Sequence, residues 1–348
     1  MFTGCDSRSA SLIVSLVVAL LLATPALAQD CPELVGSLGV QHPNEVAVSS
    51  GYAYVADGFP PSGDDSLRVI EVSDPYHPVE VGFIDFDPSW PTAVAVSGSY
   101  AYVTDGLYIG LRVIDVSIPA APVQVGFVDF PCIYRWDVAV SGDYAYVVTE
   151  HGYGCFSVID VSEPSAPVLV GSLHFGGFGV AVSGGYAYVV APGSSAVIDV
   201  SDPWAPVQVG VLYLYPGGYG VAVSGGHAYV AGEVDLRVID VSSPSAPVEV
   251  GFLDTPTSAW DVAVSDGYAY VVVGEGLYVI DVSTPSAPVE VGYRDAGQAD
   301  DTVGGIAVSD GYVFLANGGG LFIFRECGAL FTDGFESGDT SAWSATVP

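Results

Sequence analysis

The chain contains no lysine. Its seven cationic side chains are all arginine, set against 40 aspartates and glutamates, so 348 residues carry a formal net charge of −33. A surface of that sign repels phosphate backbones and anionic lipid headgroups, which excludes nucleic-acid binding and electrostatic attachment to membranes. In a composition that is half apolar, carboxylates on loops and edges also keep a β-rich chain from associating, and solubility is the plainer reading of the acidity. Long apolar runs are confined to residues 10–23, ASLIVSLVVALLLA, with Arg8 before them and Ala26-Leu27-Ala28 after. That run is shorter than the ~20 residues of a spanning helix. Its layout is that of a secretory signal cleaved after Ala28, the alternative being an uncleaved anchor. No membrane insertion is expected after cleavage, and the expected location is secreted, cell-surface or periplasmic. Cysteine is scarce as well, five in all. Cys5 leaves with the signal, and Cys31, Cys132, Cys155 and Cys327 remain, an even number suited to two disulfides in an oxidising compartment.

Catalytic signatures are missing too. His42, His77, His151, His174 and His227 occur singly, without metal-ligand spacing, and there is no G-x-S-x-G nucleophile elbow. No glycine-rich phosphate loop joins a strand to a helix, and no carboxylate pair stands out as general acid and base. No catalytic residue and no cofactor is therefore assigned.

What the chain does have is a repeat. The phrase V/I-A-V-S begins at 46, 94, 138, 180, 221, 262 and 306, giving seven units of about 43 residues. Within 260–293, WDVAVSDGYAYVVVGEGLYVIDVSTPSAPVEVGY, four runs rich in Val, Ile and Tyr are divided by turn residues. They read as four strands, with a tight hairpin at S-D-G and a proline-fixed turn at V-S-x-P-x-x-P. An open stack would bare a terminal sheet face and want atypical end repeats, whereas these units keep their pattern, so a closed seven-bladed β-propeller of four-stranded antiparallel blades is expected. Alternating small and large residues, as in Tyr52-Ala53-Tyr54-Val55, suit faces that interlock between blades.

The phrases VAVSGxYAYV, LRVIDVS and PVEVG, spread over residues 31–327, resemble the LVIVD-repeat family of bacterial and archaeal surface proteins. That resemblance implies a propeller-like fold and a surface location, and it transfers no catalytic residue.

One copy of VIDVS-x-P-x-x-P-V-E-V-G is missing. The seventh unit stops after LFIFREC (321–327), while CPELVG (31–36) matches the outer-strand text APVEVG at 246–251. The N-terminal strand is therefore expected to complete the last blade, with a Cys31–Cys327 bridge standing where the turn between third and fourth strands is cut. Cys132 and Cys155 lie in third-unit loops at one end of the blade and form the second expected pair. The domain reading is thus a signal peptide at 1–28, the propeller at 29–327 and a polar tail at 328–348. The tail, with D-G-F-E-S-G-D-T-S-A-W-S, resembles a terminal sorting tag of exported bacterial proteins; an ordinary disordered terminus is the equal alternative.

The recurrent acid of V-I-D-V-S (Glu71, Asp115, Asp160, Asp199, Asp240, Asp281) reads as a turn-bonding group, since six identical catalytic acids around a ring serve no single reaction. Arg68, Arg112 and Arg237 are expected to pair with acids on adjacent strands. At the channel mouth, just before each first strand, stand Glu45, Asp137 and Asp261. They are candidate ligands for a cation such as calcium, although such a site normally gathers more oxygens, and solvated acids are the favoured reading. Idiosyncratic aromatics gather in the interblade connections: Trp90, Tyr134, Trp136, Phe178, Tyr215, Tyr219 and Trp260. Of these Trp90, Tyr134, Trp136, Tyr219 and Trp260 are the candidate ligand-binding residues, blade-end packing being the alternative. The functional expectation is an exported, monomeric, non-catalytic scaffold that binds a protein or a glycan. Its rivals are a hydrolase or lyase acting on polysaccharide and a calcium-dependent adhesive module.

Overall fold

The computed structural model describes residues 31–58, 65–86, 89–106, 110–129, 136–149, 154–191, 193–215, 217–274, 276–296 and 304–327. They form seven four-stranded antiparallel sheets and no helix. The first blade, for example, is Pro43–Ser49, Tyr52–Asp57, Ser66–Glu71 and Val79–Asp85 in that spatial order. The inner strands of successive blades touch one another around the ring, the first against the last included, so they line a central channel.

Burial explains the text of each strand. The second strands, of the Y-A-Y-V-V type, are buried from their second residue to their last in every blade. A strand covered on both faces reads as a continuous apolar run rather than an alternation. Its two faces serve two neighbours. Tyr54 packs with Ala101 of the next blade, Tyr102 with Ala145, Tyr146 with Ala187, Tyr188 with Ala228, Tyr229 with Ala269, and Phe314 with Ala53. The core is thus seven interblade clusters, six of which pair a large ring on one blade with an alanine on the next, while in the seventh Tyr270 packs with Val313. The expected interlock of small and large residues is what closes the ring, since Phe314 and Ala53 belong to the last and first blades.

The outer strands explain the invariant glycine of P-V-x-V-G. A β-carbon on Gly82, Gly126, Gly171, Gly210 or Gly251 would run into the carbonyl of the turn proline of the following blade (Pro119, Pro164, Pro203, Pro244 and Pro285). At the cut turn Gly292 meets the Cys31 carbonyl instead. Just before each glycine the ladder with the third strand slips by one residue. The bulge bends the outer strand toward its neighbour. At the S-x-G hairpins five pairs, Ser50-Gly51, Gly184-Gly185, Gly225-Gly226, Asp266-Gly267 and Asp310-Gly311, take positive φ at both residues. That is the tight turn whose twist matches the flanking strands.

The recurrent acid is a turn group, as its repetition suggests. Asp115, Asp160, Asp199, Asp240 and Asp281 each accept the amide N–H two residues on at 2.9 Å, and the hydroxyl of that same serine, followed by its amide, holds Asp115, Asp199 and Asp240 below the usual carboxylate range. Arg68 pairs with the buried Asp57 and with Glu80 at 2.9 Å. Arg112 lies 2.5 Å from the buried Asp105, and Arg237 joins Asp235 and Glu249 at 2.9 and 3.0 Å.

The ring closes as a split blade. Glu33–Leu38 pairs antiparallel with Gly320–Arg325 and completes the sheet that holds Ile306–Ser309 and Tyr312–Asn317. Cys31 and Cys327 are joined by a disulfide. The junction is tied further: the Cys327 N–H donates to the Tyr270 hydroxyl at 2.9 Å, Arg294 Nε donates to the Pro32 carbonyl at 2.7 Å, and Arg325 lies 3.1 Å from Glu33. Cys155 is also disulfide-bonded; its expected partner Cys132 lies outside the described residues, as do the signal segment and the tail.

Candidate functional site at the channel mouth

The site grows from one irregularity of the inner strands. In the first, second, fifth and sixth blades the ladder between first and second strands gains an extra residue on the inner strand: Asn44, Thr92, Tyr219 and Trp260. A bulge frees that residue from the pleat and re-aims its side chain. In the first two blades the freed residue is spent on structure. Asn44 Nδ2 donates to the carbonyls of Gly58 and Pro91 at 2.6 and 2.8 Å, stitching blade one to blade two, and the Thr92 hydroxyl bonds that of Thr104 at 2.9 Å.

In the fifth and sixth blades it is aromatic. The Tyr219 and Trp260 rings lie 4.6 Å apart, centroid to centroid, and Phe178, from the matching position of the fourth blade, lies 5.4 Å from Tyr219. Three half-buried rings from three consecutive blades thus form one arc. Such separations are those of offset or tilted aromatic contacts. The Tyr219 hydroxyl reaches Glu233 Oε1, on an exposed loop residue, at 3.5 Å.

Of the aromatics expected to bind, the structure therefore brings together Tyr219 and Trp260. It adds Phe178, which the aromatic content of the connections had flagged without assigning it to the site. Trp136 opens the third inner strand. Trp90 lies ahead of the second, where its carbonyl accepts the Gly106 N–H at 2.7 Å. Tyr134 lies outside the described residues. Tyr215 is 87% exposed, and its carbonyl accepts from Arg237.

Next along the same strands come the acids. Glu45, Asp137 and Asp261 lie within the inner strands rather than before them; the strands start earlier than V-A-V-S because the preceding residues already pair with the second strand. Asp137 accepts the N–H of Val138 at 2.7 Å and that of Val180, in the next blade, at 2.8 Å. Asp261 does the same with Val262 at 2.8 Å and with Ile306 of the next blade at 3.0 Å. Each carboxylate is thus a clasp between blades, satisfying amides that the inner edge leaves unpaired. Glu45 accepts the Val46 N–H at 2.9 Å and leans against Gly305, where a β-carbon would collide with it.

These groups are half-buried, and the ring encircles them. Desolvation pushes Asp137 up to about 6 and Asp261 up to about 7. Desolvation together with the charges of Asp261 and Asp137 holds Glu45 well above the usual carboxylate range. Among the described residues no group of three His, Cys, Asp or Glu side chains comes together as a metal cluster.

A seven-bladed propeller with interblade cores, a covalently locked split blade and an aromatic and acidic channel mouth defines the class. The family follows from the repeats. The LVIVD repeat model matches residues 42–85, 92–129, 134–174, 178–212, 218–255, 256–295 and 297–324, and the chain belongs to the LVIVD repeat family. No curated protein matches it. Among solved structures, the chain is similar to the computationally designed Ika8 protein, with a TM-score of 0.59 and 11% identity over 84% of this chain and 99% of that one. At that identity the likeness concerns the fold alone.

Proposed function

We propose that this protein is an exported, non-catalytic scaffold that recognises an extracellular protein or glycan at its channel mouth. The observation that carries the proposal is the Phe178–Tyr219–Trp260 arc. The repeat demands no aromatic at these positions, as Asn44, Thr92 and Gly304 show in other blades. Two of the three rings are presented by bulges, and rigid aromatics on a stable ring give contact area at little entropic cost. The disulfide at the closure and the acidic surface suit life outside the cell. The test is a screen of the exported chain against a glycan array and a panel of secreted proteins. The expected hit weakens at least tenfold in Trp260→Ala and Tyr219→Ala. It is unchanged in Trp204→Ala, which alters an exposed ring in a turn between third and fourth strands. A hit that ignores Trp260 and Tyr219 would refute the assignment.

A second reading, a polysaccharide hydrolase or lyase, draws on the raised carboxyls of Asp137 and Asp261, since perturbed acids gather at catalytic sites. Against it, both oxygens of each already accept backbone N–H groups across a blade junction, which leaves poor geometry for passing a proton to a substrate. Release of reducing ends from acidic or neutral polysaccharides, abolished by Asp261→Asn, would favour this reading.

A further inference from the structure

The proposed binding surface can be given a chemistry. Its aromatic arc is bordered by carboxylate on both sides. On the rim, Glu233 meets the Tyr219 hydroxyl at 3.5 Å. Toward the channel, Asp261 directly follows Trp260, and its Oδ1 would stand 2.5 Å from a β-carbon on Gly220, the neighbour of Tyr219. Glu45 and Asp137 interact with Asp261 through the channel. The chain has no lysine, and the arginine of the same blade, Arg237, is committed to Asp235, to Glu249 and to the Tyr215 carbonyl at 2.8 Å. Electron-rich ring faces beside the exposed Glu233 carboxylate attract a cation twice, through the ring quadrupole and through charge. A neutral sugar would gain the stacking and hydroxyl hydrogen bonds to carboxylate, but no attraction between opposite charges.

Resting on the reading of the channel mouth as a binding surface, we infer that it is a socket for an arginine side chain presented by a partner protein. The guanidinium lies over the Tyr219–Trp260 pair and forks toward Glu233, since both oxygens of Asp261 already accept backbone N–H groups. Arginine fits better than lysine because its plane stacks on aromatic rings while its edge pairs with an acid.

The probe is a labelled tetra-arginine peptide, its tetra-citrulline counterpart as the uncharged control, and a neutral oligosaccharide panel, titrated into the exported chain. A net charge of −33 attracts any polycation, so the discriminating variants are those that leave the charge alone. Trp260→Ala and Tyr219→Ala should each weaken the arginine peptide about tenfold, while Trp260→Phe retains most of the binding. Glu233→Gln should weaken it without affecting the melting temperature, and citrulline should bind at least tenfold more weakly than arginine throughout. If the arginine peptide binds equally to wild type, Trp260→Ala and Tyr219→Ala, attraction is diffuse and the socket is refuted. If a neutral glycan binds and is lost in Trp260→Ala while the arginine peptide is indifferent, the arginine partner is refuted and the aromatic binding surface stands. Loss of melting cooperativity in an alanine variant would transfer the decision to Trp260→Phe and Glu233→Gln.

Discussion

Replacing both closing cysteines, Cys31→Ala with Cys327→Ala, removes the one covalent tie between the ends of the ring and leaves no lone thiol. The disulfide spans a sequence separation of 296, and in the chain-entropy model a closed loop of that length removes about 5–6 kcal/mol of freedom from the unfolded chain. The tie is not the whole closure. Five register pairs join the N-terminal strand to Gly320–Arg325, and the Phe314–Ala53 packing and the Arg294 bond to Pro32 remain. The folded ring should therefore persist with unchanged β-sheet circular dichroism while its stability falls by several kcal/mol. Because the N-terminal strand then has only noncovalent hold, it should become the first segment to exchange. The assay is urea unfolding of both proteins, with hydrogen exchange resolved on peptides covering 31–40 and 320–327. A loss under about 1 kcal/mol, or exchange at 31–40 no faster than in wild type, would refute the idea that the bridge restrains the ends of the unfolded chain and locks the last blade.

The remaining predictions concern the interior. Gly251→Ala should destabilise by about 1–3 kcal/mol, because its β-carbon meets the Pro285 carbonyl of the next blade; a neutral urea midpoint would show that the blades are not held at that spacing. Ser195 occupies the third-strand position that carries a fully buried Leu67, Leu111, Phe156, Leu236, Leu277 or Leu321 in the other blades. Its buried Oγ, for which no partner is found, lies in a cavity of about 20 Å³ among Val190, Leu212, Val230 and Ile239, room for about one water. Ser195→Leu should therefore raise stability by about 1 kcal/mol by filling that space, and a lower midpoint would refute it. Asp261 is raised to about 7 by desolvation, against 3.8 for the free group. The unfolded chain thus releases this proton from about pH 4 while the folded ring keeps it to about pH 7. Stability contributed by the protonated form is lost as pH rises through that window. Asp261→Asn should gain on wild type between pH 4 and 8 by on the order of 2 kcal/mol, allowing for solvent screening of a half-buried group; parallel pH profiles would refute it.

Much of the architecture was legible because the chain states it seven times. Period, hairpin glycines, turn prolines and the alternation of Tyr with Ala each report a local need, and repetition separates that need from accident. The split blade was legible for the same reason: LFIFREC and CPELVG are halves of a phrase met whole elsewhere. What the repeat could not disclose is where strands begin. Pro43, Pro91 and Ala259 already pair with their second strands, and a bulge after each shifts the alternation by one residue. That earlier start places Glu45 and Asp261 inside the strand rather than ahead of it. Periodicity is blind to a single inserted residue until backbone pairing shows which one is extra.

The same blindness limits the site. Nothing in the text says that Phe178, Tyr219 and Trp260, about 41 residues apart along the chain, stack across three blades while Asn44 and Thr92, at equivalent positions, turn to backbone and hydroxyl partners. Only the ring converts equal register into adjacency. It follows that departures from the repeat are where a specific ligand can be written, since a residue fixed in all seven blades serves the blade. The aromatic arc departs on one side of the ring only, and the two carboxylates that clasp neighbouring blades, Asp137 and Asp261, depart in the third and sixth. On the proposed reading, a sevenfold scaffold with a one-sided channel mouth would present a single oriented socket to a partner, which a ring of identical rims could not do.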